Sequence, residues 1–161
     1  MKKLLNINNL LLLGLVFLGI SCQKVDYDQK FSTTHPISGD WTITVKLDTV
    51  SYGPYFMKIY NTSFSKDSVW IDDNNLFWHL QAKSKVDMTN LTFSAVNSIN
   101  IPGKDSVTFA NGKVIGKDSI YFEAEFTDEP GNIYKFSGHR KVSSDIQDYR
   151  NLKRDCLVNQ H

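Results

Sequence analysis

Apolar and polar residues alternate in short segments from about residue 39 to about residue 141. The alternation is clearest over residues 41–47 and 120–126, where every second side chain is apolar. Successive side chains of a β-strand point to opposite faces, so this period of two predicts strands with one buried and one solvated face. Gly, Asn and Asp separate the segments. The pattern is typical of an all-β, antiparallel sheet that is closed on itself or covered on one side.

The predicted strands fall at fairly regular intervals along this region. They cover residues 41–47, 55–64, 68–72, 76–83, 91–96, 106–110, 113–115, 120–126 and 133–140. The two short segments 106–110 and 113–115 flank Asn111 and Gly112, and Asn-Gly favours a type I′ turn because both central positions need positive φ. We therefore predict a hairpin at this dipeptide. Asp72 and Asp73 precede two asparagines, which predicts a solvated turn rather than a Ca²⁺ loop.

The C-terminal segment 143–161 has a different pattern. Ser144 and Gln147 have the spacing of a capping box, and Ile146, Tyr149 and Leu152 follow near helical spacing. We expect a short C-terminal helix or, as an alternative, a frayed tail.

The first 21 residues are typical of a bacterial lipoprotein export signal. Lys2 and Lys3 are followed by an apolar run over residues 10–20 that is too short to cross a bilayer, and Cys22 comes directly after it. We predict that Cys22 is acylated, that residues 22–36 form a tether, and that the protein is anchored to the outer membrane of the cell envelope. An ordinary secretory signal, with Cys22 incidental, is the alternative.

Composition narrows the range of partners. The chain of 161 residues has 18 basic and 17 acidic residues, and loss of the two signal lysines leaves a net charge near zero. This balance gives no overall basic footprint for nucleic acid or for anionic lipid. If Cys22 carries lipid, the second cysteine, Cys156, has no disulfide partner. Residues 37–142 are long enough for one domain with its own core.

Two residues at opposite ends of the β-rich region resemble the calycin and lipocalin pattern. Gly39, Asp40 and Trp41 open the first strand as Gly-x-Trp, and Arg140 closes the last. In lipocalins such an indole packs beneath an arginine at the closed end of the barrel. The resemblance implies that Trp41 and Arg140 are structural residues in contact with each other.

A second resemblance covers roughly residues 39–140. It rests on segments in the middle of the chain: Tyr60-Asn61-Thr62-Ser63, residues 67–73, Phe77-Trp78, residues 83–87, Thr92-Phe93-Ser94 and residues 111–114. These segments look like a family of small gut-bacterial lipoproteins named lipid-binding putative hydrolases. The resemblance implies an antiparallel barrel of about eight strands, similar to lipocalins, and the family name implies lipid binding and hydrolysis.

Aromatic residues are numerous for one small domain, and an eight-stranded barrel can enclose one small ligand. We expect an apolar cavity for a hydrophobic or amphipathic ligand. Its predicted contacts are Trp70, Trp78, Tyr60 and Phe93.

The chain has no Gly-x-Ser-x-Gly, His-Glu-x-x-His or paired Cys-x-x-Cys motif, so neither catalysis nor a metal or cofactor is predicted. Two alternatives remain: a hydrolase for a lipid-like substrate, and a surface module that binds glycan or an outer-membrane protein partner.

Overall fold

The computed structural model describes residues 31–146, which form a closed eight-stranded antiparallel barrel. Each strand pairs with the next along the chain, and β8 pairs with β1. The strands are β1 (Gly39–Leu47), β2 (Val50–Asn61), β3 (Ser68–Asp72), β4 (Gln81–Asp87), β5 (Thr92–Ile99), β6 (Ser106–Ile115), β7 (Ser119–Phe126) and β8 (Tyr134–Arg140). A helical turn is formed by residues 143–146, the last of the described residues. The all-β fold class predicted from the sequence is confirmed.

Alternating side chains fill the interior as the sequence pattern predicts. In β7, Ile120, Phe122, Ala124 and Phe126 are buried, while the residues between them are more exposed. In β1, Trp41, Ile43 and Val45 are buried. One side of each strand therefore contributes to a common core.

The barrel has two different ends. At the closed end lie residues 31–38 and the connections 62–67, 88–91 and 116–118, and at the loop end lie the connections 48–49, 73–80, 100–105 and 127–133. Because each strand reverses direction relative to its neighbour, odd-numbered connections lie at the loop end and even-numbered ones at the closed end.

Arg140 covers Trp41 at the closed end, as the Gly-x-Trp and Arg pattern predicts. The guanidinium carbon lies 4.5 Å from the centroid of the fully buried indole. The guanidinium also donates hydrogen bonds to the carbonyls of Pro36, Ser38 and Lys117, at 2.8, 2.9 and 2.7 Å. A Cβ at Gly39 would lie 2.4 Å from Arg140 Nη1, so the glycine of the motif leaves room for the guanidinium.

The predicted hairpin at Asn111 and Gly112 is wrong. The strand β6 continues through both residues, and its pairing with β7 shifts register between Ala110 and Lys113. Asn111 has the predicted positive φ of 54°, but a β-bulge accommodates it. The chain instead reverses at residues 116–118, where Gly116 has a φ of 63°.

The predicted strand 76–83 is also wrong in its first half. β4 begins at Gln81, and residues 73–80 form a connection that contains Trp78. In addition, β2 begins at Val50, five residues before the predicted start of that strand.

The C-terminal turn is capped differently from the prediction. It begins after Val142, and the Asp145 carboxylate accepts a hydrogen bond from the Val142 N–H at 2.7 Å, as a residue at the third helical position does in a capping box. Ser144 lies inside the turn, so it is not the cap. Among residues 31–146 no helix is both long and apolar enough to cross a membrane. The predicted export signal, Cys22, most of the tether, Gln147 and Cys156 lie outside the described residues.

Candidate ligand-binding site

Part of the barrel wall consists of a loop. The short strand β3 pairs with β2 only at β2 residues 58–61. Beside the earlier part of β2 lies the connection 73–80, which we call the 73–80 loop. Its Asn74 side chain donates to the Phe56 carbonyl at 3.1 Å, and its Phe77 ring lies 5.7 and 5.4 Å from the rings of Tyr52 and Tyr55. This section of wall can therefore change without breaking a strand pairing.

The buried carboxylate of Asp73 sets the shape of this loop. Its two oxygens accept backbone N–H bonds from Asn75 at 2.9 Å, Phe77 at 3.2 Å, Trp78 at 2.7 Å and Leu80 at 2.9 Å. The Asp73 N–H in turn donates to the Leu80 carbonyl at 3.0 Å. Asp73 is 1% exposed, so the predicted solvated turn is wrong at this residue. The run of Asp and Asn was the available signal, since these residues bond nearby amides.

The loop places two aromatic rings in the barrel. Phe77 lies 5.7 Å from Tyr134 and 6.0 Å from Phe136, measured between ring centroids. Trp78 lies 5.2 Å from both Phe126 and Tyr134. Phe77 and Trp78 are both partly buried and pack against the core. Two side chains that fill this part of the interior therefore belong to a loop and not to a strand.

Further rings continue this cluster toward the closed end. Phe136 stacks on Phe122 at 4.4 Å, and Phe122 lies 5.5 Å from Phe93 and 5.9 Å from Phe109. The rings along this path are in contact, so they occupy the interior in which the sequence predicts a cavity. A ligand would need to displace at least one ring.

The four residues predicted to bind ligand fall into two groups. Trp78 and Phe93 belong to the interior cluster. Tyr60 and Trp70 are cross-strand neighbours on the outer surface, because Val69 and Ile71 take the inward positions of β3. The predicted contact of Trp70 with a ligand in the barrel interior therefore does not fit its strand geometry.

Each outer ring has polar or charged neighbours. The Tyr60 hydroxyl donates to Asp72 at 3.2 Å and accepts from Gln81 at 2.9 Å, and burial raises the pKa of Tyr60. The Lys83 ammonium lies 4.8 Å from the Trp70 ring centroid, within cation–π distance.

Tyr134 is an interior residue that the sequence analysis did not select. Its hydroxyl donates to Glu129 at 2.6 Å. Burial is the main cause that raises the pKa of Tyr134, and the hydrogen bond to Glu129 raises it further. Tyr134 therefore remains neutral, and its hydroxyl donates its hydrogen bond to a residue of the connection 127–133 at the loop end.

One side-chain cluster bears on hydrolysis. Asp145 accepts a hydrogen bond from the Thr42 hydroxyl at 2.8 Å and lies 3.2 Å from His139 Nε2. The carboxylate stands between the hydroxyl and the imidazole, whereas a nucleophile needs the imidazole as its immediate base. The three residues also lie outside the barrel interior, so this arrangement favours a structural contact between the C-terminal turn and β1. Within residues 31–146 no group of His, Cys, Asp and Glu has the geometry to hold a metal ion.

The comparisons with known proteins agree with the fold. A family model described as lipid-binding putative hydrolase matches residues 26–144. A search of curated proteins finds no match. The matched range includes every strand of the barrel and most of the sequence, which confirms the resemblance seen in the middle of the chain. The chain belongs to the lipid-binding putative hydrolase family.

Proposed function

We propose that this protein binds a small hydrophobic or amphipathic ligand in its barrel, between the 73–80 loop and the interior rings, without chemical conversion. The observation that carries the proposal is the position of Phe77 and Trp78. These rings occupy the interior but belong to a loop, so they are the rings that can leave without breaking the sheet.

Displacement of the two rings would create an apolar site. Phe126, Tyr134 and Phe136 would form its base, and Tyr55 would flank it on β2. A ligand that covers these surfaces replaces the contacts of the departing rings, and it gains about 25 cal/mol for each Å² of its own apolar surface that it removes from water. The family description supports a lipid-like ligand.

We propose further that the mature protein is attached to the cell envelope through acylated Cys22. The charged start, the apolar run and the position of Cys22 support this attachment. Two or three acyl chains would give a durable anchor, because each buried CH₂ contributes about 0.8 kcal/mol. Replacement by Cys22→Ser should abolish palmitate labelling and release the protein from membranes. Retained labelling and attachment would contradict the assignment.

Quenching of tryptophan fluorescence tests ligand binding at the proposed site. The mature chain with Trp70→Phe retains the indoles of Trp41 and Trp78, and Trp41 is sealed under Arg140. Titration with 12-bromododecanoic acid, 12-bromododecanol or brominated phospholipid should quench a saturable fraction of the signal at micromolar concentration, because bromine quenches on contact.

Two further variants distinguish the site from nonspecific contact. Adding Trp78→Phe should remove the saturable quenching. The urea midpoint of unfolding should show that this variant is still folded under the conditions of the titration. Phe77→Ala should tighten binding several-fold, because the ligand then displaces less packed surface. Quenching that survives Trp78→Phe, or no quenching by any of the three compounds, would overturn the proposed site.

A further inference from the structure

We infer that the outer face of β3, β4 and β5 is a surface that rests on a bilayer with anionic headgroups. This outer patch consists of Trp70, Lys83, Lys85, Val96, Ile99 and Ile101. It is separate from the proposed ligand site, since its side chains point away from the barrel interior.

Large aliphatic side chains are unusually exposed in this patch. Val96 is 81% exposed, Ile99 71% and Ile101 53%. A groove of about 340 Å³ is lined by Trp70, Lys83, Ser98, Ile99 and Ile101. A second groove of about 470 Å³ shares Lys83 and Ser98 with the first and extends along the sheet past Lys85 and Val96. Exposed aliphatic side chains that line adjoining grooves mark an interaction site more often than isolated ones do.

A β-bulge places Ile99 in the patch. β5 pairs with β6 at Ala95 and Phe109 and again at Ser98 and Val107, and the register shifts between these two pairs. Asn97, within this shift, has a φ of 49°. The extra residue reverses the alternation, so that Asn100 becomes buried and Ile99 faces outward. Without the bulge Ile99 would face the core. The irregularity therefore exposes an isoleucine that the sheet could have buried.

The charges of the patch identify the kind of partner. Lys83 and Lys85 line the two grooves, and no carboxylate lines either groove. Tyr60 and Gln81 hydrogen-bond the nearby Asp72 carboxylate, which partly satisfies it. Ser65 and Ser68 hydrogen-bond the Asp67 carboxylate, which also interacts electrostatically with Lys85. Exposed aliphatic groups beside an indole and two ammonium groups match the boundary between acyl chains and anionic headgroups, where tryptophan is enriched and lysine reaches toward phosphate.

The length of chain before the barrel permits this orientation. Eight residues lie between Cys22 and Phe31, the first described residue, and a fully extended chain spans at most about 3.6 Å per residue. A lipid on Cys22 would thus hold the barrel within about 30 Å of the bilayer. Even a weak contact of the outer patch with the bilayer would then be populated, because the anchor raises the effective concentration of the patch at the membrane surface.

Vesicle sedimentation of the mature Cys22→Ser chain tests the inference without help from the anchor. Binding to vesicles of phosphatidylcholine with 30% phosphatidylglycerol should exceed binding to pure phosphatidylcholine by about tenfold at low salt, and the difference should shrink as salt rises. Trp70 fluorescence should shift to shorter wavelength in the bound state.

Substitutions locate the contact. Ile99→Ser combined with Ile101→Ser should weaken partitioning at least tenfold, and Lys83→Gln with Lys85→Gln should remove the preference for anionic lipid. Phe64→Ser is the matched control, because Phe64 is fully exposed in the connection 62–67, outside the patch; it should leave partitioning unchanged.

Three results would overturn the inference: no binding to either vesicle, equal loss from the Phe64 control, or concentration-dependent self-association that the isoleucine substitutions abolish in the absence of vesicles. The last would assign the patch to a protein contact. None of them affects quenching through Trp78, so failure here is distinguishable from failure of the proposed function.

Discussion

Replacement of Asp73 by alanine should destabilise the barrel and open the 73–80 loop. Four backbone N–H groups lose their acceptor. The bond to the Leu80 N–H is buried, and an unsatisfied buried donor costs about 1–3 kcal/mol. The other three bonds are partly exposed, so water can replace the carboxylate there, at about 0.5 kcal/mol each. The expected loss is about 2.5–4.5 kcal/mol in the free energy of unfolding.

Urea unfolding followed by circular dichroism measures this loss. Asp73→Asn should give an intermediate value, since its amide keeps one carbonyl oxygen but turns an NH₂ toward two donors. Asp72→Ala is the matched control: the neighbouring carboxylate bonds Tyr60, Gln81 and the Asn74 N–H outside the core, and its loss should cost less than about 1 kcal/mol.

Hydrogen exchange locates the effect of Asp73→Ala. Amides 75, 77, 78 and 80 should exchange faster than in the wild type, while those of β7 should change only with global stability. Brominated ligand should also associate faster, because the loop opens more often. A loss no larger than that of Asp72→Ala, or unchanged exchange in the loop, would refute the reasoning that this carboxylate holds Phe77 and Trp78 in place.

Other substitutions test the packing elsewhere in the barrel. Arg140→Ala should lower the free energy of unfolding by about 1–3 kcal/mol in urea titrations through loss of cover over the buried indole, with Arg140→Lys intermediate; a change below about 0.5 kcal/mol would contradict the contact. Gly112→Ala should lower the free energy of unfolding by about 2 kcal/mol or more, and the melting temperature with it, because the new Cβ would lie 2.4 Å from the Phe93 carbonyl oxygen. Gly116→Ala is the control: its Cβ meets no atom within 4 Å, so this variant should show only the strain of its positive φ. The hydrogen bond to Glu123 is the main cause that raises the pKa of Tyr121 to about 12. This contact therefore stabilises the fold below pH 10, and its contribution is lost as pH rises through about 12. Ultraviolet titration should show Tyr121 ionising at lower pH in Glu123→Gln, and an unchanged titration would contradict the assignment.

Local alternation was sufficient to predict much of the sheet. β3 matches its predicted bounds, and β7 and β8 lie within one residue of theirs, because each presents an uninterrupted period of two. The contact of Trp41 with Arg140 followed from a motif whose two halves lie on paired strands.

The errors arose where contacts that the alternation of apolar and polar residues does not encode decided the conformation. The alternation of residues 76–80 resembles a strand, but the Asp73 carboxylate bonds their amides and draws the chain into a loop. Asn111 and Gly112 have the local preference for a turn, but a close approach to Phe93 across the sheet uses the glycine instead. The outward position of Ile99 depends on a bulge, and a single inserted residue leaves almost no trace in the alternation.

The closure of β8 onto β1 has a consequence for how the chain folds. Seven of the eight pairings join consecutive strands, so they can form from nearby segments at low loop-closure entropy. The pairing of β1 with β8 joins residues about a hundred positions apart, such as Trp41 and Arg140. A circular permutant could join the end of β8 to the start of β1 through a linker and begin the chain within residues 127–133. The pairing of β1 with β8 would then be local, and β7 and β8 would be the distant pair. Its folding rate would show whether ring closure at this seam is the slow step.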